Sequence, residues 1–414
     1  MSSKNNRIVI IGGGFGGLFT TLHLNGEVET TLISNEDHFL FTPLLYEYLS
    51  GEVEAWHIAP AYSELLDEKV RLVHGKAVDV DFAKKEVIVA NHGGTFFDSI
   101  GYDALVIAPG SVTNFANVPG AAENAMEFRR MVDADSLRQR MAETLDRIPF
   151  DCAPQDARRM ATFAIVGAGA SGVELATKMA DMLHAGFEQR GLKGDPRLVI
   201  LEMMNNVVPG MSDDIREYVE NALLESRVEV HTQTRVLRVM PGGLTWEHLE
   251  KEETLEAAAV VWTAGVRVNP LIEKLRLEKT WRKQIVVEPT LQARGHENIF
   301  ALGDVAFYPD LESPRLAGTA QLAFQQARLA GKNVSALFEG KPLRIERFEE
   351  MGEAVSLGVD RAALLAAGRV LDGALARKAR FLLYSTRLPT WQHRLRVNAS
   401  WFFEGTSPEP LRVH

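Results

Sequence analysis

Two glycine clusters have the spacing that lets a peptide backbone touch phosphate. Gly12-Gly13-Gly14-Phe15-Gly16-Gly17 follows the β-branched run Arg7 to Ile11 and precedes the apolar Leu18, Leu22 and Leu24. Gly167-Ala168-Gly169-Ala170-Ser171-Gly172 follows Phe163 to Val166 and precedes Val173, Leu175, Ala176 and Met179. In this G-x-G-x-x-G pattern the first glycine (Gly12, Gly167) makes the turn and the second (Gly14, Gly169) admits a pyrophosphate against the backbone. The third (Gly17, Gly172) lets helix pack on strand. The helix start, with Phe15 at its mouth in the first cluster, then offers unpaired N–H groups and a positive dipole end. One such cluster fits an ordinary buried turn as readily as a phosphate site. Two in the same context predict two dinucleotide sites.

The acid that grips a ribose is expected about 20 residues past the motif. In the first half that position is Ser34, and Glu36 is the nearest carboxylate, balanced against a plain solvated loop acid. In the second half the run Arg197 to Leu201 ends in Glu202, and no arginine follows within five residues. A carboxylate there bonds the 2′-hydroxyl and repels a 2′-phosphate, favouring NADH over NADPH.

Other residues offer chemistry with a bland reading beside it. Gly303-Asp304, after the run Asn298 to Leu302, could set a carboxylate on sugar hydroxyls or cap a helix. Gln321 and Gln325 are four apart and share a helix face, where Ala320 and Ala323 leave room for a flat ring; solvated glutamines would look the same. Glu174, two residues past Gly172, could relay a proton or complement the helix dipole. Ala108 and Gly110 close one buried run, and Ala264 and Gly265 close another; these four join the cofactor-binding candidates.

The elements that would position these groups repeat along the chain. After each glycine unit come short alternating stretches: Val70 to Val73, Ala77 to Phe82 and Val87 to Ala90 in the first half, Val228 to His231 and Arg235 to Met240 in the second. Each half then rejoins a buried strand, Ala104 to Gly110 or Ala259 to Gly265. The pattern predicts an α/β chain of two Rossmann-like dinucleotide-binding domains, each with an inserted antiparallel meander, produced by duplication. A polar connector from about Arg129 to Arg159 should contain a helix, and an alanine- and glutamine-rich helix should run to about Leu337.

Composition sets the outer bounds. The chain has 414 residues, a formal charge of −10 and one cysteine, Cys152, so there is no internal disulfide and no cysteine-only metal cluster. No metal site is expected. The acidic balance argues against nucleic acid, and no apolar run reaches the ~18 residues of a membrane span. Yet Arg377 to Arg396 holds Arg377, Lys378, Arg380, Arg387, Arg394 and Arg396 without one acid, interleaved with Phe381, Leu382, Leu383, Tyr384, Leu388, Trp391 and Leu395. With Trp401, Phe402 and Phe403 following, this is the composition of an interfacial anchor, in which each cation near an anionic leaflet contributes about 1 kcal/mol. Nucleic acid, an acidic partner or an oligomer interface could use the same patch.

The motifs Phe39-Leu40-Phe41-Thr42-Pro43-Leu44-Leu45-Tyr46-Glu47, Val261-Trp262-Thr263-Ala264-Gly265-Val266, Gly303-Asp304 and Ala320-Gln321-Leu322-Ala323-Phe324-Gln325-Gln326 resemble those of the type II NADH dehydrogenases, single-subunit NAD(P)H:quinone oxidoreductases among the two-dinucleotide-binding-domain flavoproteins. The stretch Leu45 to Val53 with Trp56-His57-Ile58-Ala59-Pro60 is similar to the branch that reduces demethylphylloquinone. The resemblance implies non-covalent FAD in residues 1–128 and 275–340, NADH or NADPH in 129–274, and a membrane-associating region in 341–414, docking through 377–403. It implies hydride transfer to flavin and two electrons to a membrane quinone without proton pumping. Pro43 would lie along the flavin edge, Gln321 and Gln325 would face a quinone carbonyl, and Glu174 would lie near the nicotinamide and the quinone route. It also admits a homodimer, for which no residue pattern here argues. The lone cysteine separates the chain from relatives that use thiol pairs beside the flavin. With no transit segment before residue 7, a peripheral protein on the cytoplasmic face of a bacterial membrane is expected. A ferredoxin-type reductase and a flavin-bearing redox sensor are the alternatives.

Overall fold

The computed structural model describes residues 6–24, 28–91, 94, 97–309, 311–313, 316–359, 361–366 and 369–411. The chain divides into two compact units. The first comprises Met1–Leu40, Ala59–Val112 and Val266–Met351; the second comprises Phe41–Ile58, Thr113–Gly265 and Gly352–His414.

In the first unit a parallel sheet runs in the order Ile299–Ala301, Ala104–Ile107, Arg7–Ile11, Glu29–Ser34 and Arg71–His74. The central Arg7–Ile11 strand is paired on both edges, and Ile8, Val9 and Ile10 are fully buried, so it reads as a continuous apolar run instead of an alternating one. Its crossover helix, Phe15–Leu22, packs on helix Ala320–Phe338, with Phe19 edge-on to Phe324 at 4.6 Å. The two backbones approach closely: a Cβ on Gly331 would lie 2.8 Å from that of His23. Lys76–Asp81, Glu86–Ala90 and Phe97–Gly101 form the antiparallel meander.

The second unit repeats the plan. Its parallel sheet is ordered Glu229–His231, Arg197–Leu201, Thr162–Val166, Ala259–Trp262 and Met126–Glu127. The meander Thr234–Met240, Gly243–His248 and Lys251–Glu256 buries Val239, Leu244 and Trp246 in one cluster with Val260 and Trp262. The connector supplies two helices, Met131–Asp146 and Pro154–Met160, and Cys152 lies between them. A further antiparallel sheet, Glu353–Ser356, Ala362–Ala366 and Arg369–Asp372, carries helix Gly373–Ser385, and helix Trp391–Phe403 follows.

Two strand readings need correction. Val70 to Val73 and Val228 to His231, expected among the meander strands, overlap instead the parallel edge strands of the main sheets, Arg71–His74 and Glu229–His231. These short edge strands lack the continuous buried run of a central strand, so local composition does not separate them from meander strands. The polar strands Lys251–Glu256 and Phe97–Gly101 had escaped the sequence reading for want of an apolar face.

Buried Asn333 ties the far end of helix Ala320–Phe338 to its surroundings. Its Nδ2 donates to the carbonyls of Thr290 and Arg344, both at 2.9 Å, and its Oδ1 accepts from Arg344 N at 2.8 Å. Asn333→Ala would leave these backbone groups unsatisfied in the interior and should cost about 2–4 kcal/mol, read as a lower urea midpoint with unchanged slope.

Candidate functional site

In each cluster the first and third glycines are fixed by close backbone contacts and the second faces open space. Gly12 has φ of 101°, and a Cβ there would lie 2.2 Å from the Ala108 carbonyl oxygen. A Cβ on Gly17 would lie 1.7 Å from the Gly12 oxygen, so only glycine lets this helix start against the strand end. Gly14 faces open space and precedes helix Phe15–Leu22, which has no side-chain cap and no acid in its first turn. The second cluster matches position for position. Gly167 has φ of 106° with Ala264 Cα 2.8 Å from its absent Cβ, Gly172 closes against the Gly167 oxygen at 1.9 Å, and Gly169 is open. Each unit thus contains a glycine cradle that a pyrophosphate fits and a Cβ would fill.

Around the first cradle, Ala108 N donates to Ile11 O, and Gly110, with φ of 68°, faces open space. Phe15 packs edge-on against Phe39 at 5.1 Å. Ser34 carries no charge at the strand end. The Tyr62 hydroxyl donates to the Gly13 carbonyl at 2.7 Å and lies 3.4 Å from Ser34 Oγ, while Glu36, two residues on, is exposed. Sequence reasoning missed Tyr62, whose distance from the motif gives no signal.

The Gly303–Val305 turn follows strand Ile299–Ala301. Asp304 Oδ2 accepts from Ser111 Oγ at 2.5 Å, and Gly303 N donates to the side-chain oxygen of buried Gln326 at 2.8 Å. Gln326 lay inside a quoted motif but was not singled out. Ala320 opens helix Ala320–Phe338, capped by Thr319 Oγ1 accepting from Leu322 N at 3.1 Å. Gln325 is engaged at both ends of its amide: Nε2 donates to Glu349 O at 2.9 Å and Oε1 accepts from Glu349 N at 3.0 Å. Gln321 Oε1 accepts from Met351 N at 3.1 Å, which leaves its NH2 as the donor on that face.

Around the second cradle, Glu202 Oε2 accepts from Ala168 N at 2.6 Å and Oε1 from Met204 N at 2.8 Å. This buried carboxylate therefore braces the glycine turn. Thr263 Oγ1 donates to the oxygens of Val166 and Gly167, at 2.9 and 3.0 Å, and Gly265 adopts φ of 91° beside Ala264.

Glu174 lies on helix Ala170–Gln189 inside a set of buried charges. Its Oε1 accepts from Ser356 N at 2.8 Å and from Arg380 Nη2 at 3.2 Å. Arg380 also donates to Glu47 Oε1 at 2.6 Å and to the Pro43 carbonyl at 2.9 Å. Pro43 thus falls in the second unit, in the turn Thr42–Leu44, with its carbonyl held by the guanidinium. One helical turn past Glu174, Lys178 is fully buried and pairs with Glu52, with Glu47 at 3.9 Å; Arg377 Nη2 reaches Glu52 Oε1 at 2.8 Å. Burial pushes the Glu174 carboxyl up to about 7, Arg380 pulling it down and Glu47 pushing it up. For Glu47, burial raises the carboxyl, but Arg380 and Lys178 more than offset this and hold it below its ordinary value.

Arg377 and Arg380, counted in sequence among the basic residues of an anchor, are therefore committed inside the unit. Leu388, Phe381 and Tyr384 are buried as well. Exposed in the same region are Leu375, Leu382, Trp391, Leu395, Phe402 and Phe403, with Lys378 and with Arg396, whose guanidinium lies 5.3 Å from the Trp56 ring centre. No helix among the described residues is long and apolar enough to cross a membrane.

Comparison with known proteins places these features in a lineage. Residues 6–327 match the pyridine nucleotide-disulphide oxidoreductase family. The chain is 36% identical over 411 residues to a demethylphylloquinone reductase of Synechocystis, covering 97% of this chain and 96% of that one. It is 32% identical to an alternative NAD(P)H-ubiquinone oxidoreductase of Arabidopsis thaliana, covering 97% and 81%. Among solved structures, NDH2 from Plasmodium falciparum in complex with NADH superimposes with a TM-score of 0.85 over 99% of this chain and all of that one; at 19% identity this is likeness of fold.

The buried ions make the second unit sensitive to loss of a single charge. Lys178→Met should cost about 3–5 kcal/mol, because Glu52 and Glu47 lose an interior counter-ion. Adding Glu52→Gln should restore part of that loss, and a denaturation double-mutant cycle measures the coupling.

Proposed function

We propose that this chain, which belongs to the pyridine nucleotide-disulphide oxidoreductase family and within it to the type II NADH:quinone oxidoreductases, reduces a naphthoquinone of the demethylphylloquinone type at a membrane surface. The broader activity is that of a non-pumping, FAD-dependent NAD(P)H:quinone oxidoreductase. The observation that carries the reading is the pair of glycine cradles, in each of which the third glycine closes on the oxygen of the first and the second is open, in a chain whose single cysteine supplies no thiol pair. Held by the first cradle, FAD would supply the two-electron chemistry that links a reduced nicotinamide to a quinone. The near end-to-end relationship to the Synechocystis reductase supports the choice of quinone.

In this reading Gly12, Gly14, Phe15 and Gly17 receive the FAD pyrophosphate, Asp304 and Glu36 its sugar hydroxyls, and Ala108, Gly110, Gly303 and Ala320 shape its surroundings. Gly167, Gly169, Gly172, Ala264 and Gly265 receive the nicotinamide cofactor. Glu202, a carboxylate at the ribose position, supports preference for NADH, since it repels a 2′-phosphate. Gln321 presents its amide NH2 to a quinone carbonyl, and Gln325 holds the 349–351 backbone that positions Gln321. Glu174, titrating near neutrality in a buried setting, is suited to carry a proton. The exposed Leu382, Trp391, Leu395, Phe402 and Phe403, with Lys378 and Arg396, suit an anionic bilayer surface, here assigned to the cytoplasmic face of a bacterial membrane.

Two outcomes are expected. Gln321→Leu should lower kcat/KM for a soluble naphthoquinone about tenfold, the scale of one lost hydrogen bond to substrate, while anaerobic flavin bleaching by NADH stays within about twofold of wild type. Wild-type holoenzyme that bleaches with NADH but turns over with no quinone would overturn the function. Phe402→Asp with Phe403→Asp should weaken co-sedimentation with anionic vesicles by at least about tenfold, because two aromatic side chains leave the interface, while turnover with the soluble quinone is preserved.

A further inference from the structure

Arg380 is a single cation placed between two acids. The bond from Nη1 to Glu47 Oε1 is short, 2.6 Å, while Nη2 divides itself between Glu174 Oε1 at 3.2 Å and the Pro43 carbonyl at 2.9 Å. Glu47, Glu174 and Arg380 are all buried, so neither carboxylate can turn to water for its counter-charge. Other charged or titratable groups face Glu174 from each element around it. Lys178 comes from its own helix, Tyr46 from the 45–49 helix, and Tyr384 from helix Gly373–Ser385, while strand Glu353–Ser356 contributes the Ser356 N–H. Lys178 pairs with Glu52 and lies 3.9 Å from Glu47, so its charge favours the ionised form of both Glu47 and Glu174, while Arg380 is the cation that hydrogen-bonds both of them.

We propose that Glu47 is a positioning residue: by claiming the short bond to Arg380 it keeps the guanidinium from committing to Glu174, and so disfavours the ionised form of that carboxyl. The proposal rests on the reading of Glu174 as proton carrier given above, and extends it to the residue that sets its protonation. A full Arg380 pair would favour the ionised form of Glu174, whereas the nearby Glu47 carboxylate disfavours it. Both effects have one sign when Glu47 is neutralised: the cation is released to Glu174 and a like charge disappears. Glu174 should then lose its proton at lower pH.

The test is infrared pH-difference spectroscopy of the flavin-loaded protein from about pH 5 to about pH 9, following the protonated-carboxyl band that Glu174→Gln removes. In Glu47→Gln that band should titrate about one pH unit or more below wild type, and the pH profile of kcat for quinone reduction should move the same way. An unmoved or raised midpoint in Glu47→Gln, with flavin content preserved, would overturn the proposal. If Glu47→Gln fails to fold, wild type against Glu174→Gln still decides: a carboxyl band titrating near neutrality that survives Glu174→Gln would show that Glu47 is not held ionised. If the band shifts as expected but Glu174→Gln leaves turnover intact, Glu47 governs Glu174 as stated and the catalytic reading of Glu174 is what falls.

Discussion

A guanidinium taken out of water must be met by acceptors on several sides, and much of the second unit is arranged to meet Arg380. The residue sits on helix Gly373–Ser385, yet its partners come from the Thr42–Leu44 turn, the Leu45–Leu49 helix and helix Ala170–Gln189. An uncompensated charge in such a place costs several kcal/mol, so these segments are held by the same constraint that holds the ion. Glu52 repeats the pattern one layer away, joining Lys178 of the glycine helix to Arg377 of the late helix. Polar chemistry thus fastens segments that lie more than 300 positions apart in sequence.

The second constraint is steric and occurs twice. In each unit the glycine helix begins so close to its strand that the third glycine meets the oxygen of the first. That contact sets the start of the helix beside an open glycine, the position at which a phosphate would meet the helix dipole. The cradle follows from packing alone, so the same shape stands in both units beside different flanking chemistry.

How far the fold could be read from sequence follows from the range of the forces involved. Strands such as Arg7–Ile11 and Arg197–Leu201 are continuous apolar runs because both sheet faces are covered, and local composition reveals them. The glycine positions were legible because their constraint is local. Pairing partners were not: Arg71–His74 and Glu229–His231 are short and at most half-buried, and only the long-range register shows them in the main sheets. The charge cluster was least legible. Arg377 and Arg380 lie in a run of bases that reads as surface, and nothing near them in sequence announces Glu47 and Glu52. Gln325 was visible as a helix-face amide, but its engagement by the Glu349 backbone was not, since that partner lies in a segment without regular structure.

The two halves, alike in backbone, differ at the end of the strand that follows the glycine helix. The second half keeps a carboxylate, Glu202, and both its oxygens already accept backbone N–H groups, one of them inside the glycine turn. There the acid stabilises the turn. The first half has Ser34, and its turn is braced by a different group, the Tyr62 hydroxyl on Gly13 O. With the turn supported by a neutral phenol, the carboxylate is free to lie elsewhere, and Glu36 stands exposed two residues on, unencumbered by a structural duty like that of Glu202. Replacing an anion by a hydroxyl at the strand end also spares the first cradle a buried negative charge close to where a diphosphate would lie. The glycine turn is therefore braced by an anion in one unit and by a neutral phenol in the other.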